Sequence, residues 1–272
     1  MYPKTLIGDY VTLYGICIAI GVLICIFMVR YFGKRYNVNQ KFMDFCEILA
    51  YCAIAVGFLT SWLFQTFYDY IENGVWNWKQ TGITFIGGLI GGVGTFLIVY
   101  ALMRKKLTGR AADIIPFAPC CITIAHAFGR VGCFFAGCCG GKVAQPDDFL
   151  YFLSVKFYGD SYRTYPIQLF EAIFLFALTG IMVYLLLKKN FKYNFVVYLA
   201  SYGVWRYLIE FARGDERGQI IKGVDWLSPS QFWSIIMILL TVPVYYLIKY
   251  LINKRNKEKE EHANSQVVET AK

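Results

Sequence analysis

Seven apolar runs of about 20 residues, separated by short charged connections, constrain this chain more than any other feature. A helix needs about 20 consecutive apolar residues to cross roughly 30 Å of hydrocarbon. The runs fall at roughly 10–30, 43–68, 83–103, 111–135, 166–187, 194–212 and 229–251. Continuous apolarity without period-two alternation argues against a closed barrel, the other architecture that satisfies every backbone polar group in lipid. With 57% hydrophobic and 17% charged residues, the chain also lies outside the range of soluble domains. The expected fold is therefore an all-α integral membrane protein, a bundle of about seven transmembrane helices.

A net charge of +9 would suit nucleic acid if the basic residues lined one soluble face, and they do not. They cluster at Arg30–Lys41, Arg104–Arg110, Lys188–Lys192 and Lys249–Lys259, connections that the positive-inside rule places in the cytoplasm. The alternate connections, around Asp69–Glu72, Lys142–Arg163 and Arg213–Asp225, carry mixed charge near Trp76, Trp78 and Trp226 and should face outward. This pattern puts the N-terminus outside and the C-terminus in the cytoplasm. No cleavable signal sequence is read, since the first run follows Lys4 and Asp9 without a basic leader. Residues 1–252 form the expected transmembrane domain, and the polar segment 253–272 is expected to be a disordered cytoplasmic tail.

The third run opens with Gly87, Gly88, Gly91 and Gly92, overlapping GxxxG patterns that let helix backbones approach closely. Such a run serves packing, or makes room for a lipid chain or head group. No internal repeat supports a transporter of inverted halves. The nine cysteines lie mostly within apolar runs, unlike those of a secreted disulfide framework. His126 with Cys133, Cys138 and Cys139 lacks the C-x₂-C spacing of zinc sites, so no metal is expected. Packing, acylation and redox activity stay open for these thiols.

An ionisable group at the bilayer centre costs roughly 2.5–3.5 kcal/mol, so such groups need partners or a task. The candidates are His126 and Arg130, Gln168 and Glu171, and Arg206 and Glu210, all toward the outward ends of their runs. Spacings of four, three and four put each pair on one helix face. Two readings follow. In one, Arg206 and Glu210 form an intrahelical ion pair and Arg130 snorkels to the head groups. In the other, the three faces converge on an anionic ligand. Two arginines suit a lipid phosphate, because a guanidinium is always charged and holds phosphate oxygens in a planar fork.

The segments Gly129-Arg130-Val131-Gly132-Cys133-Phe134-Phe135-Ala136-Gly137-Cys138-Cys139, Pro166-Ile167-Gln168-Leu169-Phe170-Glu171 and Tyr202-Gly203-Val204-Trp205-Arg206-Tyr207-Leu208-Ile209-Glu210-Phe211-Ala212-Arg213 resemble the prolipoprotein diacylglyceryl transferase family in order and spacing. Tyr14-Gly15 and Gly87-Gly88 extend the likeness over nearly the whole chain. The resemblance implies a multi-pass enzyme of the bacterial plasma membrane that needs no cofactor. Such an enzyme moves the diacylglyceryl group of phosphatidylglycerol onto the lipobox cysteine of a preprolipoprotein, the first step of lipoprotein maturation. By motif, Arg130 and Arg206 hold phosphate, Glu210 positions an arginine or substrate, and Tyr14 lines the lipid cavity. Gln168, Glu171, Gly87 and Gly88 complete the implied substrate site.

Three positions depart from the family pattern. Ile86 stands where many members carry histidine, Cys133 where asparagine is common, and Cys138 where an acidic residue aligns. The Gly-Cys-Phe and Gly-Cys-Cys pairs resemble a branch of the family. His126, one turn before Arg130, is the candidate replacement base, with a packing role as its alternative. A non-catalytic phospholipid-binding paralogue and a lipid or anion transporter are the competing functions.

Overall fold

The computed structural model describes residues 12–74, 76, 78, 84–157, 159–214 and 227–270. Lys4, Asp9, Trp226, residues 215–225 and the Ile86 side chain lie outside the described residues. Among the described residues the regular structure is helical: α1 (Leu13–Arg35), α2 (Gln40–Asn73), α3 (Phe85–Met103), α4 (Ala111–Ile114), α5 (Ala118–Ala136), α6 (Ile167–Lys189), α7 (Asn194–Ile209) and α8 (Pro229–Thr270). Each of the seven apolar runs overlaps one long helix. Five are long and apolar enough to cross a membrane: Leu13–Arg35, Gln40–Ile71, Ala118–Ala136, Ile167–Lys189 and Pro229–Glu261. The apolar segment Gly87–Met103 of α3 is shorter, and α7 is extended beyond Ile209 by a 3₁₀ turn over Glu210–Ala212. Phe27, Leu102 and Leu239 present more than two thirds of their surface outward, as lipid-facing residues do.

Two elements differ from the sequence expectation. The run 111–135 is not one helix, because Pro116 has no N–H to donate and disfavours helical backbone at Ile115. The span proper begins at Ala118, with Pro119 in the first turn, where a missing N–H costs nothing. At the other end, α8 continues through the tail expected to be disordered, as far as Thr270. A helix already nucleated by an apolar span propagates readily through Lys, Glu and Ala. Asp113 anchors this extension, 2.9 Å from Arg255 Nη2 and 2.7 Å from Lys259 Nζ.

The chain divides into two compact units, one of Met1–Phe32 with Ala111–Lys272, the other Gly33–Arg110. In the second unit, α3 lies against α2 through glycine. Thr60 donates its hydroxyl to Gly87 O at 2.8 Å, Ser61 donates to Thr84 O, and Thr84 N–H donates to Ser61 O at 3.2 Å. A Cβ on Gly87 would sit 2.7 Å from Thr60 O and 2.9 Å from Ser61 Cα, backbone atoms that cannot step aside. The GxxxG run is thus a packing seam. Gly87→Ala should destabilise the protein by about 1–3 kcal/mol, the usual cost of overpacking. A melting temperature unchanged in the same lipid would reject that role.

In the first unit, α5 packs on α6 and α7 on α8. Ala127, Leu175 and Tyr202 are buried at the centre. Asn194 at the start of α7 is fully buried and donates to Pro116 O at 3.0 Å and Met182 O at 3.3 Å. These bonds tie the start of α7 to α6 and to the turn that precedes α5. The same three helices carry the polar groups at their other ends.

Candidate functional site

Arg130 of α5 does not snorkel. Its Nε lies 3.1 Å from Glu171 Oε1 of α6, and the Glu171 side chain is only 2% exposed. Tyr202 of α7 donates its hydroxyl to the same oxygen at 2.7 Å. One carboxylate therefore ties three helices together, with a cation and a neutral donor sharing one acceptor. A buried pair of this kind holds only when its remaining polar atoms find partners.

A second arginine set lies along the end of α7. Arg206 Nη2 is 2.8 Å from Glu210 Oε2 and donates to Ser230 Oγ of α8 at 2.7 Å. Ser228 Oγ donates to Glu210 Oε1 at 3.0 Å, and Arg213 Nε lies 3.7 Å from Glu210 Oε2. The intrahelical pair of the first reading is thus present, yet it uses only one edge of the guanidinium. Arg206 Nη1 is buried without a partner. Glu171 acts electrostatically on Arg206 as well as on Arg130, so the two arginine sets share one central negative charge.

His126, one turn before Arg130, has Nδ1 3.4 Å from the Tyr198 hydroxyl, and its ring meets Tyr202 edge-on at 5.0 Å between centroids. It lies within electrostatic reach of Arg130, Glu171 and Arg206. Gln168 is buried, donates Nε2 to Cys138 O at 2.6 Å, and leaves its Oε1 without a partner. Tyr14 of α1 packs over Gly132, where an added Cβ would come within 3.0 Å of its ring, and it too feels the Arg130 charge. Gly87 and Gly88 belong to the other unit and are described there.

Helical spacing brought out Arg130, Glu171, Arg206 and Glu210 but not which groups meet across helices. Tyr198, Tyr202 and Arg206 recur at four-residue intervals on α7, a stripe legible in the sequence and left without a role. Ser228 and Ser230 follow a long connection, and no local spacing points to them. Arg213 is three residues from Glu210 and fully inside the site.

The arrangement offers an open guanidinium edge at Arg206, a second guanidinium fixed by a carboxylate, and an open carbonyl acceptor at Gln168. Charged donors in a water-poor setting hold an anion far more strongly than in bulk. A group with both phosphate oxygens and hydroxyls would satisfy all three.

Residues 5–247 match the family model of prolipoprotein diacylglyceryl transferase. A phosphatidylglycerol–prolipoprotein diacylglyceryl transferase of Clostridium tetani is 30% identical over 87% of this chain and 93% of the relative. The enzyme of that name numbered 2 in Clostridium perfringens is 26% identical over 90% and 94%. One from Campylobacter jejuni is 27% identical over 90% and 92%.

Proposed function

The chain belongs to the prolipoprotein diacylglyceryl transferase family, and we propose that Arg130 and Arg206 are the groups with which it performs diacylglyceryl transfer. It is a multi-pass membrane enzyme acting on phosphatidylglycerol and prolipoproteins. The peptide it modifies carries a lipobox cysteine, and it works at the outer face of the bacterial plasma membrane, with the N-terminus outside and the tail of α8 in the cytoplasm. The basic connections Arg104–Arg110 and Lys188–Lys192 support that orientation.

The cysteine sulfur loses its proton and attacks the glycerol carbon that bears the phosphate ester. The carbon–oxygen bond breaks, a carbon–sulfur bond forms, and glycerol phosphate leaves with the bonding electrons. Arg206 receives a phosphate oxygen at its open Nη1 edge, and Arg130, held by Glu171, meets the charge that grows as the ester breaks. Gln168 Oε1 accepts a hydroxyl of the glycerol head group. Glu210 and Ser230 are positioning residues for Arg206, and Tyr14 lines the lipid side. The unpartnered Arg206 Nη1 is the observation that carries this reading.

Proteoliposomes holding the full chain and phosphatidylglycerol should convert a lipobox peptide to its diacylglyceryl thioether and release equimolar glycerol phosphate. No product with folded protein would overturn the reading. For the proton, His126, one turn before Arg130 on α5, carries a ring nitrogen that can accept it. His126→Ala should lower the rate about 10²-fold near neutral pH, the scale of lost general-base catalysis, and flatten the acid limb of the pH profile. A parallel profile at reduced height would make His126 a packing residue instead.

A further inference from the structure

Three thiols meet at the end of α5, and the transfer chemistry uses none of them. α5 closes at Gly137 with left-handed backbone, φ 67°, where a side chain would be strained. Cys138 N–H returns to Cys133 O at 3.2 Å, and Cys139 also takes a left-handed conformation, φ 62°. The turn folds both residues back over Cys133. Cys138 Sγ lies 3.6 Å from Cys133 O, and the three thiols are close enough to influence one another.

The chain leaving this turn is fastened beside the second arginine set. Gly141 and Arg213 form an antiparallel bridge, Gly141 N–H donates to Tyr165 O at 2.9 Å, and Lys142 N–H donates to Ala212 O at 3.0 Å. The Arg213 side chain thereby reaches the Cys139 thiol while its Nε faces Glu210.

Packing does not account for the cluster. Cys120 and Cys121 are buried within α5, as packing cysteines are, whereas Cys138 is exposed and Cys133 and Cys139 are half-buried. Among the described residues no group of three His, Cys, Asp or Glu side chains has the arrangement to hold a metal ion. Hydrogen bonds from the Cys133 and Cys138 thiols, then from Arg213, hold the Cys139 thiol well below the usual thiol range. A half-exposed thiol beside a guanidinium and two further thiols is the arrangement that disulfide exchange requires.

We propose that Cys133, Cys138 and Cys139 form a thiol–disulfide exchange site that takes small-molecule disulfides as substrate and controls the Arg213 end of the arginine network. The Cys139 thiolate attacks one sulfur of the small disulfide, making a mixed disulfide and releasing one thiolate. The Cys133 sulfur gives its proton to that thiolate and displaces the second, closing a Cys133–Cys139 disulfide. Two electrons pass from the protein sulfurs to the small disulfide, which leaves as one thiol and one thiolate. Cys133 is the necessary half of the product. Neighbouring Cα atoms stand about 3.8 Å apart, short of the roughly 4.4–6.8 Å that disulfides span, so a Cys138–Cys139 pair is strained. Closure removes the thiolate partner of Arg213 and loosens its hold beside Glu210.

The exchange itself does not depend on the proposed function; its effect on transfer does. The full chain in phosphatidylglycerol nanodiscs is exposed to oxidised glutathione, alkylated, digested and mapped by mass spectrometry. A disulfide containing Cys133 is expected, and Cys133→Ser should retain glutathione on Cys139. Complete alkylation of all three thiols in the wild-type chain, or a disulfide lacking Cys133, would overturn the site. Transfer by the oxidised protein should fall about tenfold or more, the scale on which misplacing an anchored group acts, and recover with dithiothreitol. An unchanged rate in disulfide-bonded protein would overturn the control of Arg213. Protein inactive in both redox states would instead count against the transferase reading, and the peptide map would still decide the exchange.

Discussion

Arg206→Ala is expected to lower kcat/KM for diacylglyceryl transfer by about 10²–10³-fold, and Arg206→Lys to recover little of it. The side chain is 9% exposed, and its Nη2 edge is committed to Glu210 and Ser230. Nη1 is left for the substrate. An ammonium has no second edge. It would have to choose between Glu210 and the lipid phosphate, whereas the planar fork serves both at once. Removing one preorganised donor from a developing anion costs about 2.7–4 kcal/mol of transition-state stabilisation, which sets the expected range. The loss should appear in kcat more than in KM, because charge on the leaving phosphate is greatest in the transition state. Initial rates in phosphatidylglycerol proteoliposomes, with melting temperatures to show that Arg206→Lys is folded, measure it. Near wild-type kcat in the lysine variant would remove Arg206 from the phosphate site.

Hydropathy located every long helix, because lipid imposes length and apolarity on a span whatever its neighbours do. It misread 111–135, since an average over the run hides what one missing N–H at Pro116 does to the backbone. It also ended α8 too early, having weighed the tail by its capacity to form a core rather than to propagate a helix. At the site, spacing placed Arg130, Glu171, Arg206 and Glu210 on the right faces because helix geometry is local. It offered an intrahelical partner for Arg206, which is present, and could not find Glu171 for Arg130. That pairing depends on how α5 and α6 pack, as the bond from Ser230 depends on α8 meeting α7. The cysteines show the same limit. Sequence placed three thiols within seven residues, but only the left-handed turn at Gly137 and Cys139 brings them together.

Glu171→Leu should cost about 3 kcal/mol of stability, the largest loss expected from one substitution in this protein, because it strands a guanidinium that is only 18% exposed. Glu171 Oε1 receives Arg130 and Tyr202 together, so removing the carboxylate breaks the polar link among α5, α6 and α7 at one stroke. Glu171→Gln separates charge from shape. Its carbonyl still accepts from Tyr202 and Arg130, while the central negative charge shared by the two arginine sets disappears. An anionic phosphodiester can then supply what the side chain has lost. Glu171→Gln should therefore melt lower than wild type in zwitterionic nanodiscs and regain much of the difference in phosphatidylglycerol, since a ligand bound only by the folded state stabilises it. Transfer by this variant should stay slow even when its stability is restored, because an arginine no longer anchored by a carboxylate meets the developing charge in the wrong place. Equal melting in the two lipids would mean that Arg130 does not see the head group, and Glu171 would then be a structural strut alone.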